Sequence, residues 1–410
     1  MARVFPFQAY RYTAKAGDPA NLVTQPYDKI YPAMRERYLA ASPYNLVRIV
    51  LGEACAEDSE ADNVYTRAAG YLDSWIAEGV LAQDPEPSVF AYYQEFEVPG
   101  TGERITRKGL IALGALEEYA NEVVYRHEQT LSGPKKDRME LLRHTRAHLE
   151  QLFLIYQDAA GDIGRILDEA AAGAPVLAVT DEYGARHSLW RISDAAAIAR
   201  IQTLMSDKKL IIADGHHRYE TALAFARDHP DAAGADRVVM TLVDMHSPGL
   251  RILATHRVMS GLAGFNLETF LTRAEGFAVS ELASLDDLKR AWEEGEGRVI
   301  IGVASGGKLY KLDGGPAAGR LDVSVLHESL IQGALRVTAE AVREQKNIHY
   351  VRGLEAAYEE VRSGVAQIGF LLKPTSLGQV AEVSFGGGVM PQKSTDFYPK
   401  LLSGLTVYKF

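Results

Sequence analysis

Short runs of apolar, β-branched and aromatic residues alternate along the whole chain with stretches in which apolar residues return every three or four positions. The first pattern suits buried strands and the second suits helices with one face in a core, so the chain reads as α/β, with mixed α+β sheets. Strands are predicted over 45–51, 88–98, 105–116, 152–156, 209–213, 237–243, 298–303 and 366–372. Helices are predicted over 61–79, 135–151, 162–172, 194–206, 216–228, 284–294, 323–335 and 353–363. The strands on either side of PGTGE read as a hairpin, which argues for mixed sheets over a purely parallel one. A Pro-Gly turn in SPGLRILATHRV opens a new run of helices and strands, which places a domain break near residue 260.

Length agrees with that break. At 410 residues the chain exceeds the size at which one core usually stops growing, and two domains, 1–260 and 261–410, are expected. The hydrophobic fraction of 47% and charged fraction of 24% are those of ordinary globular proteins, and no apolar run approaches a membrane span. The N-terminus lacks the apolar core and cleavage site of a secretory signal, so a cytoplasmic location is expected. Cys55 is the single cysteine, which excludes an internal disulfide and a cysteine-built metal site. A net charge of -10, with no run of Lys or Arg longer than two, argues against nucleic acid as a partner while leaving room for a small anionic ligand. A homodimer is compatible with the sequence, which does not fix an oligomeric state.

The candidate chemistry sits at the end of the 209–213 run. There KLIIA is followed by Asp214 and Gly215 and then by a segment with helical spacing at Tyr219, Ala222, Leu223 and Phe225. A strand end and a helix start with glycine between them resemble a phosphate cradle: glycine permits positive φ, and the first helical turn and its dipole favour an anion. His216, His217 and Arg218 add donors suited to phosphoryl oxygens, and Asp214 could cap the helix, orient a histidine or hold a magnesium ion. The bland alternative is an Asp214 helix cap with one histidine buried and the other solvated.

These residues carry a resemblance. ADGHHRYETAL, QPYDKI at 25–30, YRHEQTLSGPKKDRMELL at 125–142, THRV at 255–258 and MPQKSTDFYPKLLSGL at 390–405 resemble, in order, the motifs of the bacterial and archaeal family known as domain of unknown function 1015. The turn also resembles the phosphate-binding box of the ParB and sulfiredoxin superfamily, which includes a free serine kinase. That second likeness implies a ParB/sulfiredoxin-like nucleotide-binding core elaborated by a second α/β domain, with nucleotide phosphates at Gly215, His216, His217 and Arg218. The cysteine of the sulfiredoxin box is replaced here by histidine, which disfavours that chemistry.

Three further groups fall in or near the matching blocks. In 125–138, His127, Glu128, Thr130, Lys135, Lys136, Asp137 and Arg138 surround a Ser-Gly-Pro turn; Glu128 is the candidate base, and Lys135 and Arg138 are candidate phosphate partners. In FGGGVMPQKST the glycine that a P-loop needs before its lysine is Gln392, and Pro399 interrupts the following segment, so the Walker reading fails. Lys393, Ser394, Thr395 and Lys400 remain candidates to reach a phosphate from a loop of the second domain. Tyr27 with Asp28, and His256 with Arg257, are polar intrusions beside apolar stretches, with Asp28, His127, His256 and Arg257 as candidate substrate contacts. The expected function is a nucleotide-dependent small-molecule phosphotransferase, free serine kinase being its most concrete form, with ATP or ADP and Mg2+ as cofactors and Glu128, Asp214 and His217 as catalytic residues. The alternatives are a metal-dependent hydrolase using Asp214, His216, His217, Asp244 or His246, and a non-catalytic nucleotide-binding switch.

Overall fold

The computed structural model describes residues 1–128 and 132–410, without the side chains of Ser132 and Pro134; Thr130 lies outside the described residues. The chain is a mixed α/β protein that divides into two compact units. The first comprises Met1–Arg126, Thr130–Arg251 and Pro399–Phe410, and the second His127–Gln129 and Ile252–Tyr398. The division therefore falls after Arg251 where the sequence suggested a break near residue 260, and the C-terminal segment returns to the first unit.

The first unit is built on a mixed sheet. Its strands run in the order Val124–Tyr125, Leu210–Asp214, Leu152–Tyr156, Arg237–Asp244, Arg104–Ala115, Val89–Glu97, Arg186–Ile192 and Leu177–Thr180, with Val4–Phe5 added beside Arg104–Ala115. Leu152–Tyr156 is wholly buried, as its LFLIY sequence demands. It pairs in parallel with Arg237–Asp244, where Phe153 faces Thr241, and antiparallel with Leu210–Asp214, where Leu154 faces Ile212. The register against Leu210–Asp214 slips between Ile212 and Asp214, a bulge that re-aims the residues at the end of the strand.

Helices Asp162–Ala171 and Ala195–Met205 deliver Ile163, Ile166, Ile201 and Met205 to the same core as Leu110, Leu154, Ile212 and Met240. The Asp194 carboxylate caps the second of these by accepting from the Ala197 N–H at 2.7 Å. Tyr219 and Ala222 of helix His216–Asp228 join that core, which fixes the helix's start against the sheet.

The second unit carries a six-stranded sheet, antiparallel at each junction, in the order Ala278–Leu282, Lys308–Pro316, Arg298–Ser305, Ile368–Leu371, Thr255–Met259 and Ile348–Arg352. Leu288 from helix Leu285–Glu294 and Ala357 and Val361 from helix Leu354–Arg362 pack with Val258, Ala304 and Leu371 in its core.

Three expectations need correction. The apolar stretch 45–51 holds a helical turn, Val47–Val50, rather than a strand: the Asn45 side chain accepts from the Val47 N–H at 2.9 Å and starts the turn. Periodicity cannot separate a buried strand from a buried helix in so short a run. The helix expected over 135–151 is Ser132–Thr145, stopped by Arg146 at φ 49°, after which Ala147–His148 forms a short strand with Tyr408–Lys409. The helix expected over 323–335 is a turn of α-helix, Asp322–Val325, running into a π-helix, Leu326–Ala334. No helix among the described residues is long and apolar enough to cross a membrane.

Candidate functional site

The strand Leu210–Asp214 ends at a bulge, and Gly215 follows at φ 98°, ψ 25°, a left-handed conformation that costs a residue with a Cβ about 1–2 kcal/mol. A Cβ at this position would also stand 2.8 Å from Leu152 Cδ2 and 3.2 Å from Arg218 Nη2. Glycine is therefore required twice over, by conformation and by space. The 13-residue helix His216–Asp228 begins at once, and no side chain caps it. Asp214 does not serve as the N-cap that the bland alternative supposed; Gly215 holds that position.

Asp214 instead faces two cations. Its Oδ2 accepts from Lys400 Nζ at 2.8 Å, and its Oδ1 lies 4.0 Å from Arg218 Nη2. The side chains of Lys400 and Arg218 are only 10% and 13% exposed, so little water screens them. Burial by itself would raise the Asp214 pKa, but the fields of Lys400, Arg218 and Lys29 outweigh it and hold the carboxyl far below the usual carboxylate range. Lys400 reaches this place because buried Arg107 donates to the Pro399 carbonyl at 2.5 Å and Gln94 donates to the Lys400 carbonyl at 2.9 Å. Arg107 also chelates Gln94 Oε1 and lies 4.6 Å from the centre of the Phe153 ring. Burial lowers its pKa to about 10, which leaves it charged at neutral pH.

Arg218 is anchored by Nη1, which donates to the Gln151 carbonyl at 2.8 Å. Burial would lower its pKa, and the nearby Glu150, Asp214, Asp28 and Tyr27 more than offset that. Tyr27 lies under the Arg138 guanidinium, 4.1 Å from ring centre to Cζ, and its hydroxyl is pushed up to about 12 by burial first of all. Asp28 lies 3.4 Å from Lys29. Arg138 is buried and paired with Asp137 at 2.6 Å and Glu150 at 3.8 Å. Lys135 is engaged by Glu220, which Arg126 also approaches at 3.6 Å. His216 is buried and His217 half-buried. Asp214, Gly215, Arg218, Asp28 and Arg138 thus belong to one neighbourhood of the first unit.

A second polar cluster lies within the second unit. His127 is fully buried and its Nε2 is 2.8 Å from Thr395 Oγ1; Glu128 bridges to Met390 and accepts from the Lys393 N–H at 3.4 Å. Lys393 itself has φ 58°, a strained value for a side-chain-bearing residue. The Arg257 guanidinium, fully buried, donates to the carbonyls of Thr255, Gln392 and Lys393, the last at 3.0 Å, and lies 5.4 Å from the centre of the Tyr350 ring. Burial lowers its pKa to about 10. Ser394 is buried, donating to the Pro391 carbonyl, and the chain continues into strand Asp396–Tyr398, so no helix follows Lys393 as a P-loop would require. His256 accepts from the Leu372 N–H at 3.2 Å, and burial lowers its pKa to about 4.

Glu150, Arg107, Gln94 and Glu220 enter these networks unannounced by sequence. A polar residue inside a mostly buried strand, such as Gln94 or Arg107, was the one available signal. Asp244 and His246 lie 3.1 Å apart at the end of strand Arg237–Asp244, but the described residues contain no group of three His, Cys, Asp or Glu able to hold a metal.

The profile of the family described as "Protein of unknown function (DUF1015)" matches residues 4–329. No curated protein matches the chain. Among solved structures, the chain is similar to a conserved hypothetical protein from Pyrococcus furiosus, at 15% identity over 67% of this chain and 87% of that one, with a TM-score of 0.37. It is also similar to free serine kinase in complex with AMP, at 17% identity over 67% and 83% of the two chains with a TM-score of 0.38. A third likeness is to SbnI with C-terminal truncation from Staphylococcus aureus, at 12% identity over 72% and 85% with a TM-score of 0.36.

Proposed function

The chain belongs to the DUF1015 family of proteins of unknown function, and we propose that its 214–218 turn binds the phosphates of a nucleotide such as ATP or ADP for transfer to a small hydroxylated acceptor. One observation carries this reading: two nearly buried cations, Lys400 and Arg218, converge on Asp214 at the positive end of a 13-residue helix. Cations gathered beside an uncapped helix start favour an anionic guest. A phosphate offers several charge-assisted acceptors at once, which suits a fork, an ammonium and a helix start together.

The fit differs between the two expected cofactors. A nucleotide fits the donor set, because Arg218 Nη2 and Lys400 Nζ stand beside the uncapped start of helix His216–Asp228. Bound there, it would supply the phosphoryl group. Magnesium fits poorly, since Asp214, the carboxylate of the turn, is already paired with Lys400 and Arg218. In this reading those two cations neutralise phosphate charge themselves: Arg218 keeps Nη1 on the Gln151 carbonyl and turns Nη2 to the ligand, while Lys400 moves between Asp214 and a phosphoryl oxygen. Asp214 orients both cations, and His217 lies half-buried in the first turn.

Glu128, a residue of the second unit, is carried forward as the expected base on its chemistry alone. Glu128→Gln should leave nucleotide affinity intact and cut turnover by about 10²–10⁴-fold, with serine as the first acceptor to assay for ADP formation. Turnover equal to wild type would remove Glu128 from the mechanism. The binding claim is tested by isothermal titration with ADP and ATP, with and without Mg2+. The expected result is saturable binding that survives chelation and falls at least about tenfold in Arg218→Ala. Titrations that show no binding, or binding indifferent to Arg218, would remove the reading.

A further inference from the structure

Among the buried polar atoms of the first unit that have no hydrogen-bond partner are Arg138 Nη1, His148 Nε2 and Thr221 Oγ1. Their residues come from helix Ser132–Thr145, strand Ala147–His148 and helix His216–Asp228, yet all three line one cavity of about 50 Å³. Each residue is more than nine-tenths buried, with 7%, 9% and 3% of its surface exposed. Leaving a buried polar group without a partner costs about 1–3 kcal/mol, so three around one space favour a polar guest there. Leu141, Leu149 and Leu152 supply much of the remaining lining.

The character of the guest follows from charge and from hydrogen-bond direction. Arg138 already faces two carboxylates within ion-pair distance, Asp137 and Glu150, so the cavity does not call for an anion. Burial depresses the His148 pKa to about 4, so the ring is neutral at pH 7, and its hydrogen bond to the backbone of Arg237 takes the proton-bearing nitrogen. The remaining Nε2 is then a lone-pair acceptor. Arg138 Nη1 is a donor, and Thr221 Oγ1 can be either. A hydroxyl both donates to His148 and accepts from Arg138. The leucines suit a short carbon skeleton, and a volume of about 50 Å³ holds a few heavy atoms but no nucleoside.

We propose that this cavity binds a small, uncharged, hydroxylated molecule of the two-to-four-carbon diol or triol class, held by His148, Thr221 and Arg138. The cavity adjoins the phosphate turn, sharing Arg138, Leu152 and Arg218 with its surroundings. Its claim does not depend on nucleotide binding.

The test uses the full chain without nucleotide. Ethane-1,2-diol, propane-1,2-diol, glycerol and butane-2,3-diol are titrated by saturation-transfer NMR, and crystals are soaked with the tightest binder. The expected result is saturable binding of at least one of them, weakened about fivefold or more by Thr221→Val and by His148→Phe, and retained by Thr221→Ser. Circular dichroism establishes that the variants fold, and the serine variant keeps the test valid should the valine variant not. Binding that never saturates, binding indifferent to Thr221→Val, or density showing ordered water and an adventitious additive only would overturn the proposal. Failure here leaves the ADP titration of the turn untouched, and failure of that titration leaves this one standing.

Discussion

At the scale of single residues, the clearest constraint is on Gly215. Its φ of 98° and the 2.8 Å approach of Leu152 to any Cβ act in the same direction. Gly215→Ala should lower unfolding free energy by about 1–3 kcal/mol, read from a urea midpoint, and weaken ADP more than it weakens the fold. Unchanged stability would show that the turn relaxes without cost. The 214–218 motif was legible in the sequence because its unusual residues stand together at a strand end. Lys400, named as a candidate but placed with the loop at 393–395, was not legible as the partner of Asp214. That pairing joins residues 186 positions apart, and local periodicity carries no information about it.

Among elements, the strand Arg104–Ala115 and the returning C-terminal segment depend on one another through Arg107. Its guanidinium holds Gln94 Oε1 and the Pro399 carbonyl in the interior. Arg107→Leu would leave both acceptors unpaired, so a loss of about 2–4 kcal/mol is expected. Nucleotide affinity should fall with it, because Lys400 follows Pro399. An Arg107→Leu protein with wild-type stability and affinity would mean that Lys400 is positioned by other contacts. Most long elements, such as His216–Asp228, Ala195–Met205 and Val89–Glu97, could be read from apolar spacing. The helix end at Thr145 could not, since it is set by the left-handed backbone of Arg146, a residue type that gives no such signal. The π-helix Leu326–Ala334 escaped for a related reason, as its apolar spacing is close to that of an α-helix.

For the molecule as a whole, buried histidines shape the response to acid, His187 among them. His148, His256 and His327 each have a pKa lowered by burial from 6.5 to about 4. Between those values the unfolded chain takes up protons that the folded chain refuses, so stability falls as pH drops from about 6.5 towards 4 and levels off with respect to these groups below that. Asp214 contributes in the opposite range. Its folded pKa is depressed, so its stabilisation is present above the ordinary carboxylate pKa and is lost only under stronger acid. Urea midpoints should therefore decline clearly between pH 7 and pH 5; a flat profile would show these imidazoles to be less buried than described.

Truncation after Tyr398 is a second test at this scale. It removes Lys400 and the strand Tyr408–Lys409 that pairs with Ala147–His148, and the first unit should lose its cooperative unfolding transition. The sequence suggested two domains from length and from one Pro-Gly turn, but a C-terminal segment that rejoins the first unit leaves no mark in composition.

The central claim is that the turn joining strand Leu210–Asp214 to helix His216–Asp228 receives a phosphate. A crystal of the full chain soaked with ADP tests it most directly. Phosphate density beside Gly215, with Arg218 Nη2 and Lys400 Nζ in hydrogen-bond reach, is the predicted result. ADP ordered elsewhere, with the Lys400 to Asp214 pair undisturbed and no density at the helix start, would contradict the account.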